Sequence, residues 1–196
     1  MTSAESKWDA RRAETTRRLR RCALELTRDQ GLDGWTMDDL ADAAEVSRRT
    51  VFNYFDSKVA VVLGPDHEIG PELRETFVAG GPTGSLVADI VQVAAALMQD
   101  ETADIDLVQL GRSVVLGDPQ LLGIVHQRFE AKMLESTELV LAREGEQYGA
   151  ERAALLIRLI ATIFDSALLR LDPDDPRSLA DSLDEAVADA VAVLTD

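Results

Sequence analysis

The run from Thr36 to Lys58 constrains the fold most, because it sets two short helical patterns end to end with only a brief turn between them. Thr36 is a good N-cap, and Asp39, three residues on, is a short-armed version of the capping-box partner. The helix this predicts, Met37 to Ala44, turns Leu40, Ala41 and Ala44 inward. Ser47 then caps a third helix, Arg48 to Tyr54, which begins two or three residues after the second ends. Helices joined so tightly form the helix-turn-helix pattern. A first helix precedes them, from about Asp9 to Gln30, with Leu19, Ala23 and Leu26 on one face and Gly31 as its stop. A fourth starts near Ser57 and ends by Leu63, since Gly64 and Pro65 break the pattern.

Downstream, a minor helix is predicted over Pro71 to Ala79, followed by a glycine-rich linker, Gly80 to Gly84. Five further helices are expected at about Ser85 to Gln99, Thr102 to Leu116, Pro119 to Gly145, Ala150 to Leu171 and Pro176 to Leu194. β-branched residues never alternate with polar ones over a useful length and no repeat is found, so the fold class is all-α with about nine helices. The last two helices are strongly amphipathic. Leu155, Leu156, Leu159, Ile160, Ile163, Phe164, Ala167 and Leu168 give one a broad apolar face. In the other, started by Asp175 and Pro176, Leu179, Leu183, Val187 and Val191 recur at four-residue intervals. Two such helices at a chain end suggest pairing with a second copy.

The formal charge of −16 is unevenly spread: residues 1–60 are neutral, with 11 basic and 11 acidic groups, and all of the excess lies in residues 61–196. Within the first part, the stretch from Lys7 to Arg28 sets eight basic groups, Lys7, Arg11, Arg12, Arg17, Arg18, Arg20, Arg21 and Arg28, against Asp9, Glu14 and Glu25. A polyanion would meet that end first, although a solvated helix face has the same composition. The chain divides accordingly into residues 1–60 and 61–196. Met1 to Arg12 lacks an apolar stretch, so no secretory signal or lipid anchor is expected, nor any membrane association, and the expected location is cytoplasmic. The single Cys22 falls among apolar positions and reads as a small hydrophobe. Neither His67 nor His126 has a partner at zinc spacing, and the acidic turn Asp172, Asp174, Asp175 lacks the glycine and distal glutamate of a calcium loop, so no metal or cofactor is expected.

Three consecutive stretches, Ala23 to Gly31, Trp35 to Ser47 and Arg48 to Lys58, closely resemble the N-terminal domain of TetR-family transcriptional regulators, the ending Tyr54-Phe55 followed by Ser57-Lys58 being the most specific part. The resemblance implies an N-terminal helix-turn-helix DNA-binding domain and a C-terminal helical domain for ligand binding and dimerisation. It further implies a homodimer built from the last two helices, a palindromic operator, and a small-molecule effector whose binding releases the DNA. Repression is the family's commonest mode.

Physical chemistry assigns these residues roles of its own. A short helix enters the roughly 12 Å major groove with its N-terminal side chains at base edges, and arginine matches guanine O6 and N7. Arg48 and Arg49 sit there, Thr50 and Asn53 lie within reach of bases or phosphates, and Tyr54 carries a hydroxyl for phosphate. Ser47 belongs to the same surface, whereas Val51 and Phe55 are expected to face the core. Thr36 and Lys58, at helix starts, are placed for contacts to the DNA backbone. Four positions depart from the family pattern. Glu45 replaces the usual turn glycine, Phe52 replaces a phosphate-binding tyrosine, and Trp35 replaces a threonine while Thr27 replaces a core phenylalanine. The Trp35 ring is expected to fill the volume vacated at Thr27.

Met98, Arg112, His126, Phe129, Met133 and Phe164 are candidate lining residues of an effector cavity, against the plainer reading of methionine and phenylalanine as core. An enzyme is not expected, because no nucleophile elbow, phosphate-cradling glycine loop or metal set is present. The rival reading is an acidic helical adaptor that binds basic partners and uses the helix-turn-helix only for packing. Preference for specific DNA separates the two.

Overall fold

The structure, a computed structural model, describes residues 3–64, 68–98, 104–171 and 179–195. His67, the acidic turn at Asp172 to Asp175 with Pro176, and the side chains of Lys7, Asp9 and Met98 lie outside the described residues. Among the described residues ten α-helices run α1 (Ser3–Gln30), α2 (Met37–Ala43), α3 (Arg48–Tyr54), α4 (Lys58–Leu63), α5 (Pro71–Val78), α6 (Leu86–Met98), α7 (Ile105–Gly117), α8 (Pro119–Glu144), α9 (Ala150–Leu169) and α10 (Leu179–Thr195). Short 3-10 turns, Leu32–Gly34 and Glu146–Tyr148, precede α2 and α9, and no strand occurs among the described residues. The fold is therefore all-α, as expected. None of the described helices is long and apolar enough to cross a membrane.

The helices form two compact units. The first combines the N-terminal region with Leu107–His126, so most of α7 and the first turns of α8 belong to it. This differs from the division at residue 60: Leu107, Val114 and Leu121 are buried in the same core as Leu19, Ala23 and Leu24 of α1, Leu40 and Ala41 of α2, Val51 of α3, and Val61 and Val62 of α4. The short helices α2 to α4 have too little apolar surface to enclose α1, and the downstream segment supplies the rest. Cys22 is half-buried, its thiol directed at the Ala43 carbonyl at 3.6 Å; burial, reinforced by Glu25, pushes that thiol up from its ordinary pKa. A protonated, partly covered thiol is a packing group rather than a nucleophile.

Trp35 is 1% exposed, and its indole Nε1 donates to Thr27 Oγ1 at 3.0 Å, while the Thr27 hydroxyl donates to the Ala23 carbonyl at 2.7 Å. The ring thus occupies the place expected for it beside Thr27, and the threonine satisfies the only polar atom the indole carries.

The second unit contains α5, α6, α9, α10 and the part of α8 from Gln127 onwards. Its core joins Phe77, Ile90, Val93, Leu139 and Val140 to Ile157, Ile160, Phe164 and Ala167 of α9 and Leu183 and Ala186 of α10. The broad apolar face of α9 divides into two. One row is buried, whereas Leu155, Leu159 and Leu169 are 59%, 40% and 60% exposed. The repeat in α10 behaves likewise, with Leu183 inside and Val191 outside.

The segment expected as a glycine-rich linker, Gly80 to Gly84, is held by a buried ion pair. Arg143 of α8 lies 2.8 Å from Asp89 of α6, with side chains 4% and 0% exposed. Its guanidinium also donates to the carbonyls of Phe77, Gly80 and Gly81 at 3.2 to 3.3 Å and stacks over the Phe77 ring. Asp89 in turn accepts from the Thr83 amide at 2.8 Å and the Thr83 hydroxyl at 2.6 Å. Burial disfavours the charged carboxylate, but the two Thr83 bonds and Arg143 outweigh it and hold Asp89 below the ordinary carboxylate range.

Glu45 adopts φ 53, the left-handed turn that the missing glycine implies. Glu45→Gly is expected to stabilise the protein by about 0.5–1 kcal/mol, the left-handed penalty less the added chain entropy, read from the shift of a urea midpoint. A lowered Asp89 pKa adds stability above the unfolded value, near 3.9, that is lost as pH falls through the folded one. Asp89→Asn should therefore melt below wild type at neutral pH, with the gap closing as the pH falls below the ordinary carboxylate range, about 4.

Candidate nucleic-acid interface

The α2–turn–α3 unit is built from local bonds that its sequence specifies. The Thr36 hydroxyl accepts from the Asp39 amide at 3.2 Å, and Asp39 Oδ2 accepts from the Thr36 amide at 2.7 Å, closing the capping box. Bonds from the Thr36 hydroxyl and amide hold the Asp39 carboxyl below its usual range, so the cap is ionised at neutral pH. Past Glu45, the Val46 amide returns to the Ala41 carbonyl at 2.9 Å, and Ser47 Oγ caps α3 by accepting from the Thr50 amide at 3.0 Å. Val51 at 0% and Phe55 at 7% exposure pin the inner side of α3, as expected.

With that side fixed, Arg48, Arg49, Phe52 and Asn53 are exposed. They stand as two i, i+4 rows, Arg48 with Phe52 and Arg49 with Asn53. Arg48 Nη1 lies 3.1 Å from Asp38 Oδ2, and its guanidinium packs over the Phe52 ring at 5.5 Å. Both members of the ion pair are largely solvated, so the pair orients Arg48 more than it stabilises the fold. Arg49 has no ion-pair partner among the described residues. Phe52 and Asp38 were not among the residues expected here; the four-residue spacing of Arg48 and Phe52 is the sequence signal that marks the first.

The remaining expected contacts are placed as follows. The Thr36, Ser47 and Thr50 hydroxyls all lie at helix starts and are engaged in caps, Ser47 and Thr50 meeting at 2.7 Å. Tyr54 is half-buried, with the Arg12 guanidinium of α1 over its ring at 5.4 Å. Arg11, Arg17 and Arg18 extend the exposed basic surface along α1, Arg17 with Glu14 at 3.4 Å. Lys58 is half-buried. Its ammonium donates to the Leu32 carbonyl at 2.6 Å and the Trp35 carbonyl at 2.7 Å, and lies over the Trp35 ring at 5.1 Å. The side chain expected at phosphate therefore ties α4 to the 3-10 turn.

Among the candidate effector residues, Arg112, His126 and Phe129 are exposed, Met133 is half-buried against the second core, and Phe164 is a buried member of it. A small cavity of about 30 Å³ in the second unit is lined instead by Ile69, Phe77, Ile90, Val93, Ser136, Leu139, Val140 and Ile157. Helical periodicity assigns residues to a face without saying which face meets a void.

Residues 19–63 match the family model described as bacterial regulatory proteins, tetR family. No curated protein matches the chain. Among solved structures, a protein from Mesorhizobium loti MAFF303099, assigned in its description to the TetR family of transcriptional regulators, shares the fold. It aligns at 20% identity over 94% of this chain and 96% of its own, with a TM-score of 0.53.

Lys58→Met retains the stem but removes the charge that satisfies two carbonyls. It is expected to lower stability by about 1–3 kcal/mol in a urea melt. An unchanged melt would return Lys58 to a role at the DNA surface alone.

Proposed function

We propose that this TetR-family transcriptional regulator binds a palindromic operator as a homodimer, acts as a repressor in the cytoplasm, and leaves the DNA when a small-molecule effector binds its second unit. The observation that carries the DNA-binding part is the outer face of α3: two arginines, an asparagine and a phenylalanine exposed on a helix whose opposite face is locked into the core. In this reading Arg48, Arg49 and Asn53 meet base edges, and the caps at Thr36, Ser47 and Thr50 hold helix starts against phosphates, with Tyr54 beside them. The charge distribution supports the same orientation, since the helix-turn-helix region is neutral overall with a basic α1 while the rest of the chain is strongly acidic.

Dimerisation draws support from the outer rows of the last two helices. Leu155, Leu159 and Leu169 of α9, with Val191 and Leu194 of α10, expose apolar surface that pairing with a second copy would bury as a four-helix bundle. A two-fold dimer sets its two α3 helices about one DNA turn apart, and an effector acts by favouring a different separation. The cavity beside Ser136 is the starting point for that effector. Its wall is apolar apart from one serine, so the site would enlarge around an incoming ligand.

Fluorescence anisotropy with a fragment from the region upstream of the chain's own gene tests the reading. Nanomolar binding that exceeds binding to scrambled DNA is expected, with a steep salt dependence. Arg49→Ala is expected to lower the preference by about tenfold or more, the value of one bidentate base contact. Equal binding to both fragments would favour the acidic adaptor.

A further inference from the structure

Phe52 is 46% exposed on α3 although the inward positions of that helix are filled by Val51 and Phe55. The core has no use for its ring, and water gains nothing from it. A phosphate-facing position favours a cation, an amide or a hydroxyl, none of which phenylalanine supplies. The ring stands beside the Arg48 guanidinium, and the row next to it carries Arg49 and Asn53, so it lies inside the surface assigned above to the major groove. The apolar feature that groove displays is the 5-methyl group of thymine, and phenylalanine is among the side chains that contact it.

The neighbouring arginine narrows the target further. Arg48 is held through Nη1 by Asp38, which leaves its Nε–Nη2 edge as the fork for a base. That edge fits guanine O6 and N7. The guanidinium lies over the ring, 5.5 Å from its centroid, so the two side chains point side by side and reach neighbouring base pairs, which repeat about every 3.4 Å along the duplex.

We infer that Phe52 is a specificity-determining residue: it packs on a thymine methyl in each half-site, and Arg48 reads a guanine on the adjacent base pair. The inference rests on the DNA-binding reading and adds an operator feature to it. It also gives the stack on Arg48 a purpose, since a ring that fills the space beside the guanidinium limits the rotation of a long, exposed side chain.

The test uses the full-length protein and an operator obtained by selection from random duplex DNA. Each thymine is replaced in turn by deoxyuridine, which removes the methyl and nothing else, and each guanine by 7-deazaguanine, which removes N7. One thymine per half-site is expected to matter, deoxyuridine there weakening wild-type binding about fourfold, the transfer value of one buried methyl. Phe52→Ala should bind thymine and deoxyuridine operators equally, and Arg48→Ala should be indifferent to 7-deazaguanine on the adjacent pair. Circular dichroism confirms that these surface changes leave the helices intact. Specific binding without any deoxyuridine effect, or the same effect in wild type and Phe52→Ala, overturns the inference while leaving the regulator reading in place. Failure of selection to enrich any sequence removes both.

Discussion

The orientation of the helix-turn-helix depends on the Trp35 indole, which lies at the junction of α1, the first 3-10 turn, α2 and α4. Its Nε1–H is satisfied by Thr27 of α1, its carbonyl and the Leu32 carbonyl receive the Lys58 ammonium, and its ring stacks against that same charge. Leu32, through its amide, also reaches Asp118 Oδ2 at 3.4 Å, and Asp118 caps the start of α8. One aromatic residue thus gathers polar bonds from α1, α4 and, through its turn, the α7–α8 junction. Burying a tryptophan with its donor paired gives a large apolar gain without an orphaned polar atom, which is why so short a set of helices keeps a defined geometry.

The second unit is organised around a charge rather than a ring. Arg143, its side chain 4% exposed, is surrounded by three carbonyls, the Asp89 carboxylate and the Phe77 face, with Glu144 Oε1 3.1 Å from its Nε. A buried guanidinium is tolerable only with such a complete set of partners. The Gly80 to Gly84 segment is suited to supply them, because glycine carbonyls are unscreened by side chains. The resulting staple anchors the segment between α5 and α6 to α8, the helix whose Ser136, Leu139 and Val140 line the cavity.

Much of the helix-turn-helix part was legible in the residues. The cap at Thr36 with Asp39, the cap at Ser47, the left-handed turn at Glu45 and the inward Val51 and Phe55 all appear where pattern and chemistry place them. The exchange of bulk between Thr27 and Trp35 was legible too, since a lost ring and a gained ring nearby call for one another. Three features were not. Lys58 stands at a helix start, and nothing in its neighbours along the chain signals that its ammonium meets the Leu32 and Trp35 carbonyls. Asp89 and Arg143 are two of many charged residues on amphipathic helices and carry no local mark of their burial. The cavity wall draws on α5, α6, α8 and α9, so periodicity within any one of them gives no sign of it.

The sequence by itself determined the helices, their ends, the tight turn and the outward face of α3, because each of these follows from bonds and side-chain spacings within a few residues along the chain. Tertiary structure alone decided that Leu107, Val114 and Leu121 complete the N-terminal core, that Lys58 braces Trp35, and that Arg143 closes on Asp89. Those partners are separated by tens of residues, and a charged or apolar side chain does not encode at a distance which of several chemically equivalent groups it will meet. Packing makes that choice, through the cost of leaving any buried polar group unpaired.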